Sequence, residues 1–517
     1  MSCVGAQLAA GAGEKTVARS SVNAAALMSR WMGMRRLGFR RTPAAKLRRV
    51  KASDNRAVST HSGRALRVSP AGVRGIVGPG LTSTTALEFC AAFAAFLTPS
   101  GPVVLGRDPR ASSRMLREAA LAALMASGRD VIDLGITSTP IVQQAIRRLT
   151  ASGGVSIGAS HNPSEWNALK FFGPHGRYLS STEAGELLDF YHLRRTAYVP
   201  WQALGRMLDD PGALDAYLDE LSDAYDFGAL RRFKVVVDCS SGTSSIVLRR
   251  LNERHGFAFV LINHQLEPVT FAHVPATTAK MVALQLAPLI SPLNADAGFL
   301  FDGDSDRVAL ADDTGRALSE EIVLPLVADL LLSRGPGHLV ITNLSTTALI
   351  DEIAARHRGR VLRIPVGRAA AMDALAAYRP EQVAVAGEGT GAVMMPRFRF
   401  VYDGIASMFA VLSLMHERSR PLSAIVDDYP SFTILKGEVP LSSPRIPRLL
   451  AELRERYTSG ATPGSANNVD GLRVDWPDRW FHVRVSQTEP IVRVICEQRG
   501  GSPRELFDTL VEEVRRA

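Results

Sequence analysis

Three aspartates alternate along Asp302-Gly303-Asp304-Ser305-Asp306-Arg307, directly after the apolar run 297–301. Alternation along an extended loop sets the carboxylates on one side, where their repulsion calls for a cation. Three oxygen ligands that leave coordination open for a phosphate oxygen suit a hard divalent ion, Mg²⁺ first. An EF-hand would need glycine at the sixth position and glutamate at the twelfth. Arg307 and Asp313 stand there, and the flank before them reads as strand. Ser160 follows a glycine-bounded apolar run, with His161 beside it and Pro163 closing the turn. A serine at the mouth of a strand can be a nucleophile, but its hydroxyl is weak until activated. No Gly-x-Ser-x-Gly elbow surrounds it, which argues against a serine hydrolase. Gly387-Glu388-Gly389-Thr390-Gly391 holds a carboxylate and a hydroxyl in a turn whose glycines let backbone approach a ligand. Such a carboxylate can accept from two adjacent sugar hydroxyls. In Arg484-Val485-Ser486-Gln487-Thr488-Glu489-Pro490, an arginine, two hydroxyls and loop amides could hold a phosphate dianion.

Folded elements must bring these loops together. At 517 residues, with 46% hydrophobic and 21% charged residues, the chain reads as an ordinary globular protein of three or four domains. Short β-rich runs alternate with longer helical ones, the mark of α/β domains. Strands are expected at 102–106, 130–134, 155–158, 233–238 and 338–342. Helices are expected at 112–127, up to about 254, at 345–357 and at 502–516. Units of strand, polar turn and helix begin near 102, 233 and 338, a weak repeat of about 100 residues. The tail from about 430 is different, with short Val-rich strands before its terminal helix. The expected division is a basic extension over 1–64, domain 1 with the serine loop over 65–208, domain 2 with the aspartate loop over 209–314, domain 3 with the glycine-rich loop over 315–429, and domain 4 over 430–517.

The formal charge of +9 would suggest nucleic acid or a membrane surface if it were spread over the chain. Residues 1–64 hold 13 Lys and Arg against Glu14 and Asp54, leaving 47 basic and 49 acidic residues in 65–517, a net of −2. The basic character therefore belongs to the extension, which carries few aromatics beyond Trp31 and Phe39. Neither a nucleic-acid nor a membrane partner is expected, and no apolar run is long enough to span a bilayer. The extension is Ala-, Arg- and Ser-rich, the composition of an organelle transit peptide, with a disordered tail or an over-long start as the plainer reading. Cys3, Cys90, Cys239 and Cys496 are far apart, which fits a reducing compartment and no zinc or disulfide framework. The expected location is the cytoplasm, or an organelle if 1–64 is a transit peptide.

The four motifs, in this order, resemble the four active-site loops of the α-D-phosphohexomutases over nearly all of 65–517. That resemblance implies three similar α/β domains with mixed sheets and a smaller α+β C-terminal domain around a central cleft. It also implies transfer of a phosphoryl group between O1 and O6 of a hexose phosphate. By the resemblance, Ala159-Ser160-His161-Asn162-Pro163 with Asn167 and Lys170 is the loop whose serine carries the phosphoryl group. Lys170 would then stabilise phosphoryl charge or shuttle a proton, with His161, Arg74 of Gly72-Val73-Arg74-Gly75, and Arg307 beside it. Asp302, Asp304 and Asp306 would hold Mg²⁺, with phospho-Ser160 completing the shell. Glu388 and Thr390 would read the sugar. Arg484, Ser486, Gln487, Thr488 and Arg493 would hold the phosphate that is not reacting. A hexose 1,6-bisphosphate would be intermediate and activator, and the protein a monomer or homodimer.

Gly-Glu-Gly-Thr-Gly-Ala-Val looks like the subgroup containing phosphoglucosamine and phosphomannose mutases, and Val340–Thr346 agrees. Glucosamine phosphate is the first expected substrate, with mannose or glucose phosphate next. A catalytically silent sugar-phosphate-binding paralogue is the alternative from another class. The chain departs from the family pattern at four places. Ala392 stands where a histidine is frequent, Arg368 where an acid or histidine is expected, Tyr402 where arginine often precedes Asp403, and Ser241 where asparagine is usual.

Overall fold

The computed structural model describes residues 66–516 apart from 70–71, 99–100, 267–270, 336–337, 441–444, 460–463 and 487–490. The extension 1–64 lies outside the described residues, as do Gln487 and Thr488. The described strands form four sheets. The first runs Leu66–Ser69, Gly72–Ile76, Trp166–Phe172, Gly153–Ile157, Val103–Arg107, Val131–Ile136, Met207–Asp209. The second runs Val308–Asp312, Ala297–Phe301, Val235–Asp238, Val260–Ile262, and the third Arg360–Ile364, Leu339–Asn343, Val383–Gly387, Val393–Met395, Arg399–Tyr402. Parallel strands at the centre are buried throughout and apolar but for Asp238, as at Val235–Asp238 and Ala297–Phe301, the pattern of strands covered on both faces.

The three sheets share one arrangement. In each, a run of adjacent parallel strands, four in the first sheet and three in the second and third, is bordered by a strand that turns straight back into an antiparallel partner: Gly153–Ile157 into Trp166–Phe172, Ala297–Phe301 into Val308–Asp312, and Val383–Gly387 into Val393–Met395. The serine, aspartate and glutamate loops are the tips of these three equivalent hairpins. The fourth sheet is antiparallel throughout, in the order Phe432–Pro440, Ile491–Arg499, Arg479–Val485, Leu472–Asp475, Ser465–Asn467, with helix Arg504–Arg516 behind it.

The core is continuous between the second and third sheets. Helix Gly404–Arg418 is buried from Gly404 to Met415 and starts where the Asp403 carboxylate accepts the Ala406 amide at 2.9 Å. Its Phe409 stacks on Phe227 with ring centroids 4.8 Å apart. The helix expected over 345–357 begins later, at Leu349. The Asn343 side-chain oxygen accepts the Ser345 amide at 2.9 Å and the Thr346 hydroxyl at 3.0 Å, which holds the preceding residues as a turn. Among the described residues no helix is long and apolar enough to cross a membrane.

Candidate active site

Ser160 sits at the tip of the first hairpin with φ of +52°, a left-handed conformation that costs a non-glycine residue energy and is kept only where the surroundings hold it. Arg110 supplies that hold. Its Nη2 donates to the carbonyls of Ser160 (2.9 Å) and Asn162 (2.8 Å), its Nη1 to that of Pro163 (2.6 Å), and its Nε pairs with buried Asp108 at 2.8 Å. Three carbonyls of one loop are fixed by one planar guanidinium. Arg74 donates to Asn162 Oδ1 at 3.1 Å from the neighbouring strand.

The second hairpin brings its aspartates onto the serine. Ser160 Oγ donates to Asp302 Oδ2 at 2.5 Å and lies 3.5 Å from Asp306 Oδ1 and 3.3 Å from His161 Nδ1. The two tips can approach because Gly303 has no side chain: a Cβ there would lie 3.0 Å from the Ser160 carbonyl. Asp302, Asp304 and Asp306 are all buried, and ligand atoms from the three lie within 4.8 Å of one another.

The outer oxygens of the triad are already engaged. Asp304 Oδ2 accepts from Lys170 and from Thr139 Oγ1 (2.7 Å), while Asp306 Oδ2 accepts from Lys170 (2.8 Å) and from Arg368 Nη2 (2.5 Å). Asp304 Oδ1, by contrast, is buried with no hydrogen-bond partner. An orphaned buried carboxylate oxygen facing two other carboxylates is what a hard cation would satisfy, so the donor set fits a metal.

Lys170 lies on the returning strand Trp166–Phe172, opposite Ser156. Burial opposes its charge, but Asp304 and Asp306 more than offset this, so its pKa is raised and it stays an ammonium. Burial likewise raises Asp306, yet Lys170, Arg368 and Arg307 overcome it and hold its carboxyl well below the usual range. Asp302 is pushed well above that range by burial and by Asp306 and Asp304. His161 is held well below its usual value by burial, then by Arg307 and Arg74, so its imidazole is neutral. Burial, followed by Arg368 and Arg307, lowers Arg74 to about 10.

The third hairpin carries Glu388, whose amide donates to Ala392 O at 2.9 Å. The Gly389 amide donates to Thr346 Oγ1 at 3.1 Å, and Lys436 from the fourth sheet donates to the Gly389 carbonyl at 3.1 Å. Thr390 Oγ1 is buried without a partner, a donor and acceptor left for a ligand hydroxyl. Arg307 follows the aspartate loop directly; its amide lies 3.3 Å from Asp302 Oδ1 and its Nε 3.7 Å from Asp306 Oδ1.

On the fourth sheet, Arg484 lies one residue before the end of the strand Arg479–Val485 and pairs with Asp470 Oδ2 at 3.0 Å, and the Ser486 amide donates to Ile491 O at 2.9 Å. Arg493 lies 3.2 Å from Glu438. Asp470 Oδ2 also accepts the Val366 amide at 2.9 Å, which joins the Arg484 loop to the segment leading to Arg368. Sequence reasoning gave no role to Arg110 or Thr139 and treated Arg368 only as a departure. A buried site with three carboxylates was the available signal that further cations and donors had to be found.

Models of phosphoglucomutase/phosphomannomutase α/β/α domains I, II and III match residues 67–194, 215–315 and 319–432. The chain belongs to the phosphoglucomutase/phosphomannomutase family. It is 30% identical over 440 residues to a phosphoglucomutase/phosphomannomutase of Thermococcus kodakarensis, covering 83% of this chain and 94% of that relative. It is 32% identical over 456 residues to a "Probable phosphoglucosamine mutase" of Methanopyrus kandleri, covering 86% and 97%. A crystal structure of a phosphoglucomutase/phosphomannomutase family protein from Burkholderia thailandensis superposes with a TM-score of 0.72 at 23% identity, over 87% of this chain and 97% of that one, and so shares the fold. As expected for this phosphohexomutase family, three mixed α/β sheets are followed by a β-rich C-terminal one, and the protein is an enzyme of the isomerase, phosphotransferring type.

Proposed function

We propose that this enzyme is an Mg²⁺-dependent mutase that moves a phosphoryl group between O1 and O6 of a hexose phosphate through phospho-Ser160. The observation that carries the reading is the meeting of Ser160 Oγ with the three-aspartate cluster, 2.5 Å from Asp302 and 3.5 Å from Asp306. Asp302, Asp304, Asp306 and the serine oxygen would hold the ion, which would neutralise charge on the phosphoryl oxygens. A sugar hydroxyl oxygen attacks the phosphorus of phospho-Ser160 as the Oγ–P bond breaks. Neutral His161, 3.3 Å from Oγ, accepts the hydroxyl proton and returns it to the serine. Lys170, fixed as an ammonium by two carboxylates, stabilises the transferring group and leaves the proton to His161. Arg74 and Arg307 add positive charge on the same side.

The product of this half-reaction is a hexose 1,6-bisphosphate, which turns over within the cleft and returns its other phosphoryl group to Ser160. Glu388 and Thr390 read the ring hydroxyls in both orientations. Arg484 and Ser486, with Gln487 and Thr488, hold the phosphate not reacting, and Arg493 stands on the adjoining strand. Glucosamine phosphate is the substrate of choice, supported by the Gly-Glu-Gly-Thr-Gly loop and by the relatives that bear the phosphoglucosamine mutase name. The test is kcat/KM with Mg²⁺ and catalytic hexose 1,6-bisphosphate on the phosphates of glucosamine, N-acetylglucosamine, mannose and glucose. Turnover should fall to background in Ser160→Ala, and turnover that survives would remove the phosphoserine route. The sugar with the highest kcat/KM names the substrate.

A further inference from the structure

Arg368 is a buried cation placed on a metal-loop carboxylate. It opens the helix Arg368–Ala376, and its Nη2 reaches Asp306 Oδ2 at 2.5 Å, the oxygen that also takes Lys170. Its guanidinium lies over two buried tyrosine rings, 4.9 Å from the Tyr178 centroid and 5.6 Å from that of Tyr402. The two rings are themselves 6.0 Å apart, Tyr178 bridged to Phe172 at the end of a first-sheet strand and Tyr402 on the third sheet, so the arginine is held in place rather than free to swing out. Arg368 and Tyr402 were two of the four departures from the family pattern, and here they are in contact. Arg74, Lys170, Arg307 and Arg368 therefore surround the three carboxylates, with Glu388 also acting on Arg368, so the cations already balance the acids before any divalent ion enters.

We propose that Arg368 is a resident counter-ion of the metal loop. It neutralises Asp306 from the side facing away from Ser160, so that the loop keeps its shape without an ion. The same charge repels a divalent cation, so the loop binds one tightly only once Ser160 carries its dianionic phosphate. Arg368 acts on the ion through charge and through Asp306, as a positioning residue, and does so whichever hexose phosphate is the substrate. The inference rests on the aspartate loop being the metal site.

The test is equilibrium titration of the dephosphorylated enzyme with Mn²⁺, in wild type, Arg368→Gln, Arg368→Met and Arg368→Lys, with Asp304→Asn as control. Removing one unit charge within several ångströms of a divalent ion should tighten Kd for Mn²⁺ by about tenfold or more. Gln and Met should both show this, Met keeping a long apolar stem between the two rings if Gln folds poorly, and Lys should bind as wild type does. A purely structural arginine gives the opposite sign, since a displaced Asp306 would bind the ion more weakly. Unchanged or weaker binding in Gln and Met, with binding lost in Asp304→Asn, overturns the counter-ion and leaves the metal site standing. Saturable binding that persists in Asp304→Asn removes the metal site and the proposal with it.

Discussion

At the scale of single residues, the site depends on side chains that hold other groups still. Arg110 is the main one: it fixes three carbonyls of the serine loop and neutralises Asp108, whose carboxyl is otherwise pushed up by burial. Removing it leaves Asp108 buried without its cation, which typically costs ~3–5 kcal/mol. Arg110→Ala should lower unfolding stability by about that much, read by chemical denaturation. Arg110→Lys keeps the charge but not the planar fork. It should recover much of the stability while kcat stays about tenfold or more below wild type, because the Ser160 carbonyl is no longer pinned. Equal recovery of both would make Arg110 a stability residue only. The aspartates were readable in sequence because their spacing alone creates an electrostatic problem that needs a cation. Arg110 was not, since the three carbonyls it holds lie 50 to 53 positions away and its local pairing with Asp108 does not reveal them.

At the scale of elements, one supersecondary unit is used three times, each time as a hairpin tip. The repeat was legible as strand, turn and helix starting near 102, 233 and 338, because parallel strands are apolar runs ahead of helices. The returning antiparallel strands were not, and Val393–Met395 is too short to show a period. Those returning strands are what turn three loops toward one centre and place Lys170 beside the serine. The tips are packed backbone to backbone, which sets a demand at Gly391. Its φ is +79°, and a Cβ there would lie 2.1 Å from the Val308 carbonyl, on the strand that follows the aspartate loop. Gly391→Ala should cost ~2 kcal/mol or more and shift Glu388 and Thr390. The kinetic signature should be a raised KM for sugar phosphate with Mn²⁺ affinity little changed. Unaltered KM would detach this loop from sugar binding.

At the scale of the whole molecule, the C-terminal sheet meets the third α/β unit through polar contacts. Arg473 donates to Leu344 O at 2.5 Å, Glu497 accepts the Ala348 amide at 2.7 Å, and Asp470 accepts the Val366 amide. His482 completes the set, fully buried, with Nε2 2.6 Å from Asp470 O and Nδ1 2.9 Å from Ser345 Oγ. The carbonyl can only accept, so these partners assign the proton to Nε2 and leave Nδ1 to accept from the serine, the neutral form. Burial lowers its pKa from 6.5 to about 4, with Arg484 and Arg473 adding to the effect. Above about pH 6.5 both folded and unfolded chains keep this group neutral, and it contributes nothing to pH dependence. Between about 6.5 and about 4 the unfolded chain binds a proton that the folded one refuses, so stability falls as pH falls. The loss from this group approaches ~3 kcal/mol at the acid end of the window. His482→Gln retains a donor toward Asp470 O without a titrating ring. Its deficit in Tm relative to wild type should therefore shrink as pH is lowered from 7 toward 4. A deficit that stays constant would show that His482 titrates alike in both states, and that acid weakens this interface through its carboxylates instead.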